Sequence, residues 1–165
     1  MSDYRGPELL LAEHVIAGFD CGDDELNRWL ARKALRNRSG GGSRTWVVSF
    51  EGRVVGFYAS STAVILRAQA PGKVSRNQPE PIPAVLLARL ATDVKHHRKG
   101  LGDALLKHFL LKTLEVAQVV GVRVVLVHAA NDTAGGWYEK YGFEPAPFDD
   151  HTMMLLVANI EHSAR

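Results

Sequence analysis

The sequence has little cysteine and no long apolar run. Cys21 is its only cysteine, so no disulfide can form within the chain. Charged residues interrupt every apolar run well before the roughly 20 residues that a membrane-spanning helix needs. The opening stretch, MSDYRGPELLLAEHV, lacks a basic leader followed by a small-residue cleavage site. These absences predict a cytoplasmic protein without a membrane partner, and they favour a packing or surface role for Cys21 over a nucleophilic one.

A recognisable set of metal ligands is also missing. His96, His97 and His108 surround a glycine-containing stretch, but their spacing matches no metal motif, and the one cysteine is distant in the sequence. We therefore predict no metal site. His128 falls within an apolar run, where a satisfied core histidine is a more common interpretation than a general base.

The charge is unevenly distributed along a chain of ordinary composition. With 165 residues, 46% of them hydrophobic and 23% charged, the sequence fits one globular domain over residues 1–165. The formal net charge is only +2, yet residues 26–78 hold ten basic side chains and a single acidic one, Glu51. Such a segment attracts polyanions, although basic side chains can also merely solvate helix and loop surfaces.

Alternating signals predict a mixed α/β chain. The stretch DDELNRWLARKALRNR predicts one helix with acids in its first turn and bases in its last. TWVVSFEGRVVGFYASS predicts a β-hairpin that turns at Glu51-Gly52. Residues 67–84 carry four of the seven prolines and predict a surface loop, and VLLARLATDV predicts a strand buried on both faces.

The second half of the chain continues the alternation. We predict a helix from Leu101 to about Val119, a strand in VRVVLVHA, a short helix that begins in NDTAGGWYEKYGF and stops at Gly142, and a last strand in HTMMLLVAN.

Two glycines mark the start of the helix in HHRKGLGDALLKHFL, residues 96–110. Glycine costs about 1 kcal/mol relative to alanine inside a helix, so Gly100 and Gly102 need another purpose. A helix N-terminus presents backbone N–H groups and a partial positive charge, and glycines let a phosphate approach them. Arg98 and Lys99 add charge. Taken alone, the pattern also fits a purely structural turn.

The surrounding residues resemble the GNAT superfamily of acyl-CoA-dependent N-acyltransferases. HRKGLG, residues 97–102, follows the family's phosphate-binding spacing, with His97 where Gln or Arg is usual. LATDV before it and NDTAGGWYEKYGFEP after it extend the resemblance over most of residues 45–158. It implies a mixed, mostly antiparallel central sheet flanked by helices, with acetyl-CoA as co-substrate. The positions that it assigns to the coenzyme are Leu90, Ala91, Thr92, Val94, His97, Arg98, Lys99, Gly100, Leu101, Gly102, Asp103 and Asn131.

The same resemblance implies direct transfer with Tyr138 as the general acid. A backbone N–H on the strand over residues 85–93 would stabilise the oxyanion. Tyr138 could instead be only a packed aromatic, and Asp93 is predicted to be a turn or cap residue. Arg89 fits either a structural pair or a substrate contact.

A closer resemblance is to the GNAT-type toxins of bacterial toxin–antitoxin pairs. It rests on RNQPEPIPAVLLARLATD, VHA and WYEKYGFEPAPFD. It implies acetylation of the α-amine of aminoacyl-tRNA, a ribbon-helix-helix antitoxin and, as a further expectation, a homodimer. The basic segment agrees, because RNA binding depends on phosphate neutralisation. The predicted RNA-binding residues are Arg28, Arg32, Arg36, Arg38, Lys73 and Arg76. A small-molecule or peptide N-acetyltransferase, or a non-catalytic acetyl-CoA- or RNA-binding module, are the alternatives.

Overall fold

The computed structural model describes residues 3–160. Strands and helices alternate along the chain, as the sequence predicted. Their bounds are β1 Tyr4–Leu9, α1 Asp24–Arg32, α2 Ala34–Ser39, β2 Arg44–Phe50, β3 Arg53–Ile65, α3 Gly72–Ser75, β4 Ile82–Thr92, α4 Leu101–Ala117, β5 Val124–His128, α5 Asp132–Glu139, β6 Glu144–Ala146 and β7 Asp149–Leu156.

The strands form one sheet in the order β1-β2-β3-β4-β5-β7-β6. Strand β4 pairs with β5 in parallel, whereas β1–β2, β2–β3, β5–β7 and β6–β7 are antiparallel. The β4–β5 register runs from Ala84–Val124 to Leu87–Val127, while β4 itself continues to Thr92. The predicted mixed, mostly antiparallel sheet with flanking helices is confirmed.

Two compact units divide the chain, and residues 3–61 with 88–109 make the first. Its core contains Leu10, Trp29, Leu30 and Phe57, all buried. Trp29 and Leu30 come from α1, whose polar residues face the solvent, so burial of one apolar face holds this helix in place. The predicted hairpin is confirmed: Glu51 and Gly52 have φ values of 51° and 81°, as a tight turn between twisted strands requires.

The second unit comprises residues 62–87 and 110–160 of the described chain. Its core gathers Ile65, Val74, Ile82, Val124 and Met154 from strands β3, β4, β5 and β7 and from helix α3. Strand β5 is buried at four consecutive positions, which explains its continuous apolar sequence.

Two predictions about local structure were wrong in detail. The single helix predicted from Asp23 onward bends at Lys33, because the bend lets Ala34 join Trp29 and Leu30 in the same core. Residues 67–84 are not only loop. They contain a 3-10 turn, the short helix α3 that buries Val74, and the start of β4, in which Pro83 still offers its carbonyl to Arg123 N–H at 3.0 Å.

Helix ends and edge strands also differ from expectation. Helix α4 ends at Ala117 rather than near Val119, and α5 ends at Glu139, so Gly142, with φ 93°, lies in the following turn. Strands β1 and β6 were not predicted, because each contains a proline, which normally argues against a strand. Both lie at an edge of the sheet, where one side of the strand has no neighbour and the N–H that proline lacks is not needed for pairing. Among residues 3–160, no helix is long and apolar enough to cross a membrane.

Candidate active site

A glycine-containing loop joins β4 to helix α4 and is fixed at its start by Asp93. The Asp93 carboxylate is 7% exposed and accepts hydrogen bonds from the N–H groups of Lys95 (2.9 Å) and Asp20 (3.1 Å). The Asp93 N–H donates to Val55 O at 2.8 Å. The interpretation of Asp93 as a cap residue is confirmed, and its contacts hold the loop against the first unit's sheet.

The loop backbone is shaped to bind an anion. Arg98 and Gly100 both have positive φ, at 64° and 78°, on either side of Lys99. The first intrahelical hydrogen bond of α4 runs from Ala104 N to Gly100 O at 3.1 Å, so the helix itself offers no acceptor to the three N–H groups before Ala104. A Cβ built on Gly100 meets no atom within 4 Å. Alternating backbone conformations and a helix start together make a cradle for phosphate, and this loop fits a pyrophosphate.

The structure places eleven of the twelve predicted coenzyme residues on the continuous stretch 90–103. Leu90, Ala91 and Thr92 end β4, and the others form the loop and the first turn of α4. The exception is Asn131, which lies in the second unit as the N-cap of α5. Its side-chain oxygen accepts the Ala134 N–H at 2.9 Å, which leaves its amide NH₂ as the group that could meet a ligand.

The Gly102 position gives the first prediction. We expect Gly102→Val to weaken acetyl-CoA binding about tenfold or more, because a branched side chain in the first turn of α4 blocks a charge-assisted backbone contact. Calorimetric titration measures the affinity. Gly121→Val is the matched control, because Gly121 lies in an exposed turn where a Cβ meets nothing within 4 Å. Equal affinities for wild type and Gly102→Val would contradict the phosphate role of the loop.

His97 departs from the family pattern, and its ring is held by the backbone. Its Nε2 donates to Thr92 O at 3.2 Å, and the residue is exposed. We expect His97→Gln to leave acetyl-CoA affinity nearly unchanged, since backbone N–H groups bind the phosphates and a glutamine amide can donate to the same carbonyl. Affinities measured from pH 5.5 to 8 test this. Binding that tightens at low pH in wild type alone would show instead that a protonated His97 pairs with phosphate.

Tyr138 lies in the second unit, on helix α5, and is 8% exposed. Its ring packs edge-on against Trp137 (4.9 Å) and Phe143 (5.5 Å), which fixes its position. Burial raises the pKa of the phenol to about 12, so the hydroxyl holds its proton at neutral pH. Within residues 3–160, no protein group is hydrogen-bonded to this hydroxyl. Within the described residues, the hydroxyl proton therefore has no protein acceptor.

His128 is not the core histidine that the sequence suggested. It is the last residue of β5 and is exposed, and its Nδ1 lies 3.4 Å from the Thr152 hydroxyl. Thr152 in turn donates to Asp149 at 2.8 Å. The buried run of β5 ends at Val127, and His128, the next residue, is exposed at the end of the strand. In the described part of the chain, no three His, Cys, Asp or Glu side chains form a group able to hold a metal ion.

Cys21 is half-buried near the start of α1. Its Sγ lies 3.6 Å from Asp23 O, and burial raises the pKa of the thiol. A protonated thiol is a weak nucleophile, which agrees with the predicted packing or surface role.

The predicted RNA-binding residues fall into separate groups. Arg28 and Arg32 lie one turn apart on the exposed side of α1, and Arg36 is exposed on α2. Arg38 is half-buried and donates to Leu10 O at 3.0 Å, so part of its role is structural. The other two residues of the set, Lys73 and Arg76, are exposed in the second unit, and Lys73 forms an ion pair with Glu144.

Arg89, left open by the sequence, makes a contact within the first unit. Its guanidinium carbon lies 4.4 Å from the ring centroid of Trp29. Sequence analysis missed Trp29 as a functional candidate, because its apolar spacing alone accounts for its burial.

Comparison with known proteins identifies the family of this chain. Residues 41–145 match the acetyltransferase (GNAT) domain family. A tRNA-acetylating toxin of Mycobacterium tuberculosis is 40% identical over 157 residues, which cover 95% of this chain and 95% of that protein.

Two solved structures also match this chain over nearly its whole length. AtaT complexed with acetyl-methionyl-tRNAfMet superposes with a TM-score of 0.87 and 26% identity, and the match covers 94% of this chain and 96% of that one. AtaTR bound with AcCoA gives a TM-score of 0.84 and 26% identity, with 98% of each chain covered. The phosphate-type loop, the protonated tyrosine and these matches agree, and the chain belongs to the GNAT acetyltransferase family.

Proposed function

We propose that this chain is the toxin of a toxin–antitoxin pair and transfers acetyl from acetyl-CoA to the α-amine of aminoacyl-tRNA in the cytoplasm. The observation that supports aminoacyl-tRNA as the substrate is the 40% identity to a tRNA-acetylating toxin along 95% of both chains. The exposed arginines Arg28 and Arg32 of α1 and Arg36 of α2 support it, because a tRNA is bound chiefly through its phosphates.

The coenzyme is assigned to the loop and the strand before it. Backbone N–H groups of Leu101, Gly102 and Asp103 would hold the pyrophosphate, with charge added by Arg98 and Lys99. When bound, acetyl-CoA supplies an acetyl thioester. A backbone N–H of β4 would donate to the thioester oxygen as negative charge develops on it.

The proton balance of the transfer is simple. The amine nitrogen forms a bond to the acetyl carbon, the carbon–sulfur bond breaks, and Tyr138 gives its Oη proton to the departing sulfur. The amine proton is lost to solvent, from which the Tyr138 phenolate regains a proton before the next turnover. An α-amine has a reference pKa of about 7.7–8.0, so a substantial fraction is already neutral at cellular pH, and no strong protein base is required.

Three further assignments belong to this proposal. The antitoxin would be a ribbon-helix-helix protein, and residues 1–165 would act as one catalytic domain, as the end-to-end match to a single relative suggests. A homodimer stays a prediction.

Growth is the first test of the proposed function. Expression of the chain alone in bacterial cells should stop growth, because an acetylated aminoacyl-tRNA has no free amine to accept the growing peptide. In a cell-free translation system, added protein should stop synthesis only when acetyl-CoA is present. Uninterrupted translation with acetyl-CoA present would contradict the proposal. Added polyamines or peptide amines should not compete with aminoacyl-tRNA as acetyl acceptors, so they should not restore synthesis.

A further inference from the structure

Two stacked aromatic rings and a guanidinium contact one another in the first unit. The rings of Trp29 and Phe57 lie 5.9 Å apart between centroids and are inclined by only 13°. The Arg89 guanidinium lies over the same indole, 4.4 Å from its centroid. Phe57 is fully buried and Trp29 is 5% exposed, whereas Arg89 is half-buried. Of these three side chains, Arg89 is therefore the one that a ligand can contact.

Trp29 and Arg89 border a cavity of about 310 Å³ that is lined mostly by cationic side chains. Its lining consists of Glu25, Arg28, Trp29, Arg32, Lys33 and Arg89. Four of these six side chains are cationic and one is acidic. Within residues 3–160, none of the four cations forms an ion pair with a carboxylate. By contrast, Arg38 and Arg53 are anchored to backbone carbonyls elsewhere in this unit. The cavity thus presents cations that the protein does not neutralise.

The cations extend beyond this one cavity. Arg28 and Arg32 also line a neighbouring cavity of about 440 Å³, whose other walls include Phe19 and Asn27. Their charge is therefore available along a continuous surface of α1 rather than at a single point. A chain of phosphates suits such a surface better than one small anion does.

We propose that this cavity binds the single-stranded 3′ end of the tRNA, with the terminal base stacked on Arg89 and the neighbouring phosphates held by Arg28, Arg32 and Lys33. Unpaired bases are typically recognised by stacking on aromatic rings or on guanidinium planes. Contact with the buried Trp29 restricts the Arg89 side chain before RNA binds, which lowers the entropic cost of stacking a base on it. This inference rests on the proposed function, because it places the same substrate.

The test uses RNA binding without chemistry. The probes are a fluorescent acceptor-stem hairpin that ends in unpaired CCA and the same hairpin with an abasic last nucleotide, both without an amino acid. We expect wild type to bind the complete hairpin about tenfold more tightly. Arg89→Lys keeps the charge but loses the plane, so it should lose this preference and bind both hairpins as wild type binds the abasic one. Arg5→Lys, exposed on β1 and outside both the cavity and the predicted RNA-binding set, is the matched control and should keep the preference.

Several results would overturn the stacking role. One is equal binding of the two hairpins by wild type, a measurement that needs no variant to fold. Another is a preference for the complete hairpin that persists in Arg89→Lys. A fall in acetyl-CoA affinity in that variant would assign the cavity to the coenzyme instead. Acetyl transfer to aminoacyl-tRNA by wild type is measured separately. If wild type prefers the complete hairpin but transfers no acetyl group, the proposed substrate is refuted and the stacking site is still supported.

Discussion

Tyr138→Phe should lower the rate of acetyl transfer by about 10²–10⁴-fold, the usual cost of losing a general acid. The variant keeps the ring that packs against Trp137 and Phe143, so the fold and acetyl-CoA binding should be preserved. Transfer rates under saturating substrates, compared with calorimetric affinity for acetyl-CoA, separate the two effects. Tyr141→Phe, three residues further on, is the matched control and should keep most of the activity.

The pH dependence of wild type adds a check on the same proton. An acid works while it is protonated, so the contribution of Tyr138 is present below its pKa of about 12 and is lost only above it. The rate should therefore show no loss from this group between pH 7 and 10. An undiminished rate in Tyr138→Phe would mean that the phenol only packs α5 against its neighbours.

Simultaneous replacement of Arg28, Arg32 and Arg36 by Gln should give the second large effect. Each lost phosphate contact flattens the plot of log affinity against log salt by about 0.7–0.9 units, so we expect a change of about 2–3 units and weaker binding of every tRNA tested. Filter binding or anisotropy over a range of salt concentrations measures the slope.

A control for net charge accompanies the arginine variant. Replacement of Lys107, Lys112 and Lys140 by Gln removes the same charge from other surfaces, and its slope should stay near that of wild type. If the two triple variants behave alike, the RNA does not meet α1 and α2 specifically.

Local signals predicted the parts of the fold that local forces determine. Three features that depend on neighbours in sequence were placed correctly: the Glu51-Gly52 turn, the start of α4 directly after Gly100, and the continuous apolar run of β5. The bend at Lys33 was missed because it depends on the position of Ala34 in a tertiary core. Strand β1 was missed because an edge strand needs neither regular alternation nor every N–H.

The candidate site divides in the same way. The predicted phosphate loop is contiguous, so its glycines and the family resemblance of the residues around them predicted a helix start that the backbone fulfils with its positive φ at Gly100. The contact of Arg89 with Trp29 joins residues far apart in sequence, and no spacing rule predicts it. The ion pair of Lys73 with Glu144 also joins residues far apart in sequence. It partly neutralises a cation that the sequence predicted to bind RNA.

The position of the transferred acetyl group tests the central claim most directly. Labelled acetyl-CoA, the protein and total charged tRNA are incubated together, and the tRNA is then treated with mild alkali, which cuts the aminoacyl ester. We predict that the label leaves the RNA with the ester and is recovered as N-acetyl amino acid, and that deacylated tRNA acquires none. Label on free polyamines, on protein or on the RNA itself after alkali would contradict transfer to the α-amine of aminoacyl-tRNA.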